Sequence, residues 1–314
     1  MKTKIWIALV ALYIVWGSTY LAIRYSVETI PPFFHAGIRF LVSGLILVIW
    51  RRMAGDPAPT KRQWISTAIV GCALLLGGNG LVAWAEQRVP SGIAALMVSM
   101  SPMWLVLFEA LRPGGVKPSW RGIVGLLIGF GGVFLLIGPE NFNGTSATQY
   151  DTLGTIALLI AALLWSVGSI YSKTADMPKS TLLGTGMEML AGAVALFIVS
   201  VGSGELHGFS LAAVSTRSWL GLTYLIFVGS LVGFVSYGWL LHNAPISLMS
   251  TYAYVNPVVA VFLGSWLASE TITPRIILAA GIIIGSVIFI NSGNRPRVQK
   301  EARISDQLSV NRDQ

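Results

Sequence analysis

The chain has 314 residues, of which 54% are hydrophobic and 11% are charged. Soluble domains carry about 25% charged residues. A mean hydropathy of +0.71 therefore excludes an ordinary cytosolic enzyme and a disordered chain, because too few polar side chains remain to cover a water-exposed surface. The formal net charge of +8 would favour acidic or nucleic-acid partners in a soluble protein, so its meaning depends on where the charges lie.

Apolar runs about as long as a lipid bilayer is thick recur along the chain. A hydrocarbon core of about 30 Å is crossed by about 20 helical residues. Runs near this length lie at 5–23, 33–50, 65–85, 91–111, 122–138, 152–171, 182–202, 218–241, 246–268 and 276–292. We predict an all-α integral membrane protein with ten transmembrane helices and a polar cytoplasmic tail over 293–314. The first run exceeds the about 7–15 residues of a signal-peptide core, so we expect it to be retained.

The basic residues predict the orientation of these spans. With ten spans, both termini lie on the same side of the membrane, and sixteen of the 21 lysine and arginine residues fall on that side. The other five are Arg24, Arg39, Arg88, Arg217 and Arg275. The positive-inside rule then places both termini in the cytoplasm. The positive net charge is explained by topology, so we expect the lipid bilayer as a partner and no nucleic acid.

The two halves of the chain resemble each other. Trp16 and Trp165 are 149 positions apart, and Pro102 and Pro257 are 155 apart, with several further tryptophan, proline and glycine pairs at similar offsets. We interpret 5–138 and 152–292 as two repeats of five spans. Because five is odd, the second repeat enters the membrane with opposite polarity. Such inverted repeats are the plan of many secondary transporters.

Three ionisable side chains are candidates for a gate or for coupling: Arg39, Glu86 and Glu188. Arg39 and Glu188 occupy equivalent repeat positions, but their depths should differ by roughly 12 Å in a core of about 30 Å. We therefore expect Arg39 to meet Glu86, and Glu188 to meet Lys173. Two interpretations stay open, namely structural ion pairs that lock the halves, and direct contact with substrate or protons.

Two prolines near mid-membrane are predicted to kink their helices. Pro102 and Pro257 each lack an N–H group and clash with the preceding turn, which frees carbonyl groups near Val98 and Ala253. In lipid these carbonyls need partners or a cavity to line. The alternative is a kink that serves packing alone.

Aromatic and polar side chains within the spans form a candidate substrate pathway. Tryptophan and tyrosine at span ends are usually interfacial belt residues, but several lie deeper here. Such a wall suits amphipathic or zwitterionic solutes, and cation–π contact with amines. The candidate residues are Trp16, Tyr20, Asn79, Trp165, Ser169, Tyr252, Tyr254 and Asn256.

The sequence lacks several motifs of metal-binding and nucleotide-binding proteins, which narrows the possible functions. Cys72 is the one cysteine and Cys/His metal spacing is absent, so we expect no metal site and no internal disulfide. No phosphate-binding loop is present, so neither ATP nor another cofactor is expected. The pattern favours a secondary active transporter of a small-molecule solute, with proton coupling open and the protein a monomer or a homodimer. An integral-membrane enzyme and a channel are the alternatives.

Three stretches carry a resemblance to a known family. They are Trp16-Gly17-Ser18-Thr19-Tyr20, Val89-Pro90-Ser91-Gly92 and Tyr252-Ala253-Tyr254-Val255-Asn256-Pro257. The chain resembles the EamA transporters of the drug/metabolite transporter superfamily, in their YedA-type exporter branch. The resemblance implies ten helices as two inverted EamA repeats. It also implies export of a metabolite, amino acid or drug-like solute across a bacterial cytoplasmic membrane, and no catalytic residues.

Overall fold

The computed structural model describes residues 2–111, 120–137, 151–244 and 251–293. Within these ranges the chain is helical and contains no β-strand. Seven helical stretches are long and apolar enough to cross a membrane, and one of them, Ser91–Phe108, is divided by a short turn at 99–100. Shorter apolar helices lie at Trp120–Leu136, Tyr252–Ala268 and Pro274–Phe289. The predicted all-helical membrane protein is confirmed. The tail after Gly293 lies outside the described residues.

The first half begins with three long helices, α1 (Lys2–Ser26), α2 (Pro32–Met53) and α3 (Lys61–Ala85). Two shorter helices, α4 (Ser91–Val98) and α5 (Ser101–Leu111), are followed by α6 (Trp120–Ile137). The middle of α3, from Cys72 to Gly80, is a π-helix. Helix α3 begins with a capping box, in which Thr60 and Gln63 each bond the other's main-chain N–H.

The second half begins with α7 (Thr152–Ser172) and α8 (Thr181–Gly202). Helix α9 has three consecutive segments, Thr216–Tyr224, the π-helix Leu225–Val232 and Gly233–Asn243. The last two helices are α10 (Tyr252–Ala268) and α11 (Pro274–Gly293). Side-chain oxygens of Asp151 and Ser180 accept main-chain N–H groups at the starts of α7 and α8.

Helices of one half pack mainly against helices of the other. Helix α2 packs against α8, and α6 packs against α11. Helix α1 contacts α9 and α10, while α7 contacts α3, α4 and α5. Large apolar side chains such as Ile198 and Trp266 are 67% and 70% exposed. These outward faces suit lipid contact, because a bilayer is an apolar solvent for them.

Glycines allow the main chains of neighbouring helices to touch. A Cβ atom on Gly44 would lie 2.9 Å from the carbonyl oxygen of Gly186, which joins α2 to α8. A Cβ atom on Gly71 would overlap the carbonyl oxygen of Glu188, which joins α3 to α8. The hydrophobic effect is weak between helices in lipid. Small residues at such contacts stabilise the helix pairs because they allow close van der Waals packing.

We expect Gly71→Ala to destabilise the protein by about 1–3 kcal/mol, the usual cost of overpacking. The reason is that the Glu188 carbonyl cannot move away unless helix α8 moves. Gly131→Ala in α6 is the matched control, since nothing lies within 4 Å of the added methyl group there. Thermal unfolding of the purified protein compares the two variants, and equal Tm values would contradict the close contact between α3 and α8.

Candidate functional site

A cavity of about 160 Å³ lies among helices of both halves. The described residues that line it belong to α1, α2, α3, α5, α7, α9 and α10 and to the C-terminal part of α4. The predicted pathway residues that line it are Trp16, Tyr20, Asn79, Trp165, Tyr252 and Asn256. Arg39, Pro102 and Pro257 also line it. The structure therefore brings side chains that are far apart in sequence to one place.

Four other candidate residues lie away from this cavity. The hydroxyl of Ser169 donates to the carbonyl of Trp165 in its own helix, at 2.7 Å. Tyr254 packs against the largest apolar cluster of the core. Neither Glu86 nor Glu188 is among the lining residues.

Two tryptophans, one from each half of the chain, form part of the wall. The Trp165 ring lies against Gly78 of α3, where a Cβ atom would be 2.9 Å from Cε3. The Trp16 ring lies against Gly233 of α9 in the same way. Its ring centroid is also 5.2 Å from that of Tyr252, in an edge-to-face arrangement. The glycines thus leave room for large rings at the junction of the halves.

A short turn between α4 and α5 interrupts the helix beside the cavity. The carbonyl of Leu96 accepts the Ser99 hydroxyl at 2.6 Å, and the carbonyl of Val98 accepts the Ser101 hydroxyl at 2.7 Å. Pro102 lies in the first turn of α5, where its missing N–H has no helical partner to lose. Pro257 instead lies inside the continuous helix α10. The two prolines therefore have different local structures.

The π-helical segment of α3 lines the cavity, whereas that of α9 is connected to it through Ser230, which accepts from the cavity-lining Arg39. Asn79 lies in the first segment, and its Nδ2 donates to the carbonyl of Leu74 at 3.3 Å. The second segment offers the carbonyl of Ile226 to the hydroxyl of Ser43 at 3.2 Å. Single π-helical turns are frequent at functional sites. Sequence reasoning missed both segments, although the glycines around Asn79 and at Gly229 and Gly233 are a weak signal for them.

Arg39 is a buried cation at the cavity wall. Its side chain is 4% exposed, and its Nε donates to the hydroxyl of Ser230 at 3.0 Å. The expected pairing with Glu86 is wrong, because both carboxylate oxygens of Glu86 lack a hydrogen-bond partner among the described residues. The expected ion pair between Glu188 and the exposed Lys173 is also not formed in the described part of the chain.

A second polar cluster, the Arg24–Glu270 cluster, joins helix ends away from the cavity. The Glu270 carboxylate accepts from the main-chain N–H and the hydroxyl of Ser91, both at 2.8 Å, and from Gly92 N–H at 3.1 Å. It therefore caps the N-terminus of α4, where negative charge is favoured. Arg24 lies 3.5 Å from the same carboxylate. The cluster connects α1 and α4 to the chain between α10 and α11.

Glu86 immediately follows α3 and lies next to this cluster. Its side chain is 1% exposed. Burial raises the pKa of the Glu86 carboxyl well above its ordinary value of 4.5, and the charge of Glu270 raises it further. Arg24 and Arg39 lower that pKa. A carboxyl in this environment favours its protonated form.

Comparisons with known proteins match most of the chain to one family of membrane transporters. Residues 3–138 and 152–292 match the EamA-like transporter family. The inner membrane transporter YedA of Escherichia coli (strain K12) is 39% identical over 288 residues, which cover 91% of this chain and 90% of YedA. The transporter YoaV of Bacillus subtilis (strain 168) is 25% identical over 92% of this chain and 97% of its own. A protein crystal structure with 19% identity has the same fold, with a TM-score of 0.62 over 94% of this chain and 100% of that chain.

We expect Glu86→Gln to raise the Tm of the protein at pH 8 by a few degrees and to leave it unchanged near pH 4.5. A raised folded-state pKa contributes stability that is fully present below the unfolded value and lost as pH rises through the folded value. Glutamine keeps the neutral form at every pH. Glu28→Gln is the control, since Glu28 is 40% exposed and pairs with Arg217. A Tm that falls at pH 8 would show that the native site prefers the charged carboxylate.

Proposed function

The chain belongs to the EamA-like transporter family, and from this premise we propose that it is a secondary active transporter. It exports a small metabolite, amino acid or drug-like solute by alternating access. One observation carries the proposal: both halves of the chain supply equivalent residues to the wall of a single cavity. Trp16 and Trp165 are one such pair, and Pro102 and Pro257 are another. A central site at the interface of two repeats is the arrangement expected of secondary transporters.

The proposal includes ten transmembrane spans arranged as two inverted repeats of five, with α4 and α5 forming one span. The packing of the helices supports it. Helices α2 and α8 are equivalent in the two repeats and pack together, as do the equivalent helices α6 and α11. The equivalent helices α3 and α9 each contain a π-helical segment. The excess of basic residues on one side supports a bacterial cytoplasmic membrane location with both termini in the cytoplasm.

Alternating access needs contacts that close one end of the cavity and can open. The Arg24–Glu270 cluster has the position for this role, because it ties α1 to the start of α4 and to the end of α10. In the proposed topology this end faces away from the cytoplasm. Opening there would break one ion pair and uncap α4, so the Glu270 carboxylate, which is 8% exposed here, would have to exchange these partners for water.

Glu86 and Glu188 are the proposed carriers for proton coupling. The carboxylate of Glu86 is buried without a hydrogen-bond partner among the described residues, and Glu188 lies half-buried in α8. Neither lines the cavity, so a proton on either group would act on transport through the helix contacts. Facilitated exchange without protons is the alternative mechanism.

We expect saturable counterflow of a radiolabelled solute when the purified protein is placed in proteoliposomes. The solute panel contains amino acids, organic acids, organic amines and neutral drug-like compounds. Ala253→Trp should abolish counterflow, because Ala253 lines the cavity and the larger side chain would fill it. Val258→Trp in the same helix is the matched control, since Val258 is 55% exposed on the outer face.

A pH-sensitive dye inside the same vesicles distinguishes proton antiport from exchange. Under antiport, solute movement changes the internal pH in wild type, and Glu86→Gln or Glu188→Gln removes that change. Flux that rises linearly with solute concentration would indicate a channel. Chemical conversion of the solute would indicate an enzyme. Either result, or an absence of counterflow for the whole panel, would contradict the proposed function.

A further inference from the structure

The buried guanidinium group of Arg39 has no anionic partner in the described part of the chain. Its Nε is satisfied by Ser230, but its terminal N–H groups donate to no described acceptor. Arg39 is the one charged side chain among the described residues that line the cavity. A charge at mid-membrane costs about 2.5–3.5 kcal/mol, so such a group normally faces a partner or an aqueous cavity. The cavity wall therefore carries a positive charge that no described carboxylate contacts directly, although Glu86 interacts with it through space.

The local structure holds this charge in place. Ser230 and Gly229 belong to the π-helical segment of α9. The segment presents the Ser230 hydroxyl to the Nε of Arg39, and a Cβ atom on Gly229 would lie 3.5 Å from one terminal nitrogen. A guanidinium fixed through its Nε keeps its two terminal nitrogens for a second group. Their planar fork matches the two oxygens of a carboxylate.

An independent observation concerns Asn256, on the opposite repeat from Arg39. Its side chain is 8% exposed and lines the same cavity. Its Oδ1 atom is buried and has no hydrogen-bond partner among the described residues. Buried acceptors are almost always paired, and leaving one unpaired is costly. A ligand with an N–H or O–H group would satisfy it.

We propose that the cavity binds a small organic carboxylate that also carries an uncharged hydrogen-bond donor, such as a hydroxy acid with an apolar body. The carboxylate lies on the terminal N–H groups of Arg39. Asn256 accepts the hydroxyl hydrogen. The apolar body lies among Trp16, Trp165 and Tyr252. The inference rests on the proposed transport function for its biological meaning, but the binding site can be tested separately.

Size and charge both favour this ligand class. A cavity of about 150 Å³ in another protein holds a benzene molecule, so 160 Å³ suits a body of that size. Aromatic rings attract organic cations, but the positive charge of Arg39 in the cavity wall repels them. A purely apolar solute would leave both Arg39 and Asn256 unsatisfied. A carboxylate with a donor satisfies both groups.

The test compares acids with their own amides on the full-length protein in detergent, by calorimetry. The probes are lactate with lactamide, mandelate with mandelamide, and phenylacetate as an acid without the hydroxyl group. We expect at least one hydroxy acid to bind at least tenfold more tightly than its amide. We also expect mandelate to bind more tightly than phenylacetate, with Asn256→Ala reducing that difference. The comparison of each acid with its amide is made on the wild-type protein and depends on no substitution.

Substitutions of Arg39 test whether this residue binds the carboxylate. Arg39→Gln should remove the preference for acid over amide, and Arg39→Lys should restore part of it, because lysine keeps the charge without the planar fork. Arg217→Gln is the control, since it removes a positive charge from an arginine that is 51% exposed and outside the cavity. Amides that bind as tightly as their acids, or acids that do not bind at all, would overturn the proposal.

Counterflow measurements distinguish a failure of the proposed carboxylate site from a failure of the proposed transport function. Saturable counterflow of a neutral or cationic solute that Arg39→Gln leaves unchanged would overturn the carboxylate site while the transport function stands. Tight binding of hydroxy acids without counterflow of any solute would leave the carboxylate site standing and would contradict transport.

Discussion

The structure depends on one constraint, which is that main-chain polar groups and charges inside a membrane must find partners within the protein or face a cavity. Most of the chain satisfies it with continuous helices. Three departures line one cavity: the turn between α4 and α5, the π-helical segment of α3, and the buried charge of Arg39. The π-helical segment of α9 is connected to the cavity through the bond between Ser230 and Arg39. At the turn, the hydroxyls of Ser99 and Ser101 supply hydrogen bonds to helix carbonyls. Irregular main chain is therefore tolerated where it borders the cavity.

The two halves share a scaffold but differ in their charges. Trp16 and Trp165 lie against glycines of the opposite half, so both halves shape the wall. Arg39 and Glu188 occupy equivalent positions in the proposed repeats, yet Arg39 lines the cavity and Glu188 does not. The main chain of Glu188 instead contacts Gly71. In the proposed mechanism, both halves supply the movement and the first half supplies the charge that selects the solute.

The sequence predicts the helices and most of the aromatic wall, but not the polar contacts. Hydropathy is sufficient for the helices because about 20 apolar residues span a bilayer. The pairing of Arg39 could not be predicted, because the depth argument assumes regular helices, and Ser230 is presented by a π-helical segment. The capping role of Glu270 also could not be predicted, because its carboxylate reaches the start of α4 from a connector that is distant in sequence. Such contacts depend on irregular local structure and on tertiary packing.

The most direct test asks whether the transported solute occupies the cavity shared by the two halves. Val98 and Ala253 line its wall and are equivalent in the proposed repeats. Each can be replaced singly by cysteine in a Cys72→Ser background. The measurement is the rate of maleimide labelling with and without the solute, with Thr174→Cys in an exposed connector as the control. We expect the solute to slow labelling at both wall positions and to leave the control unchanged. Protection at only one wall position, or at neither, would contradict a site built by both halves.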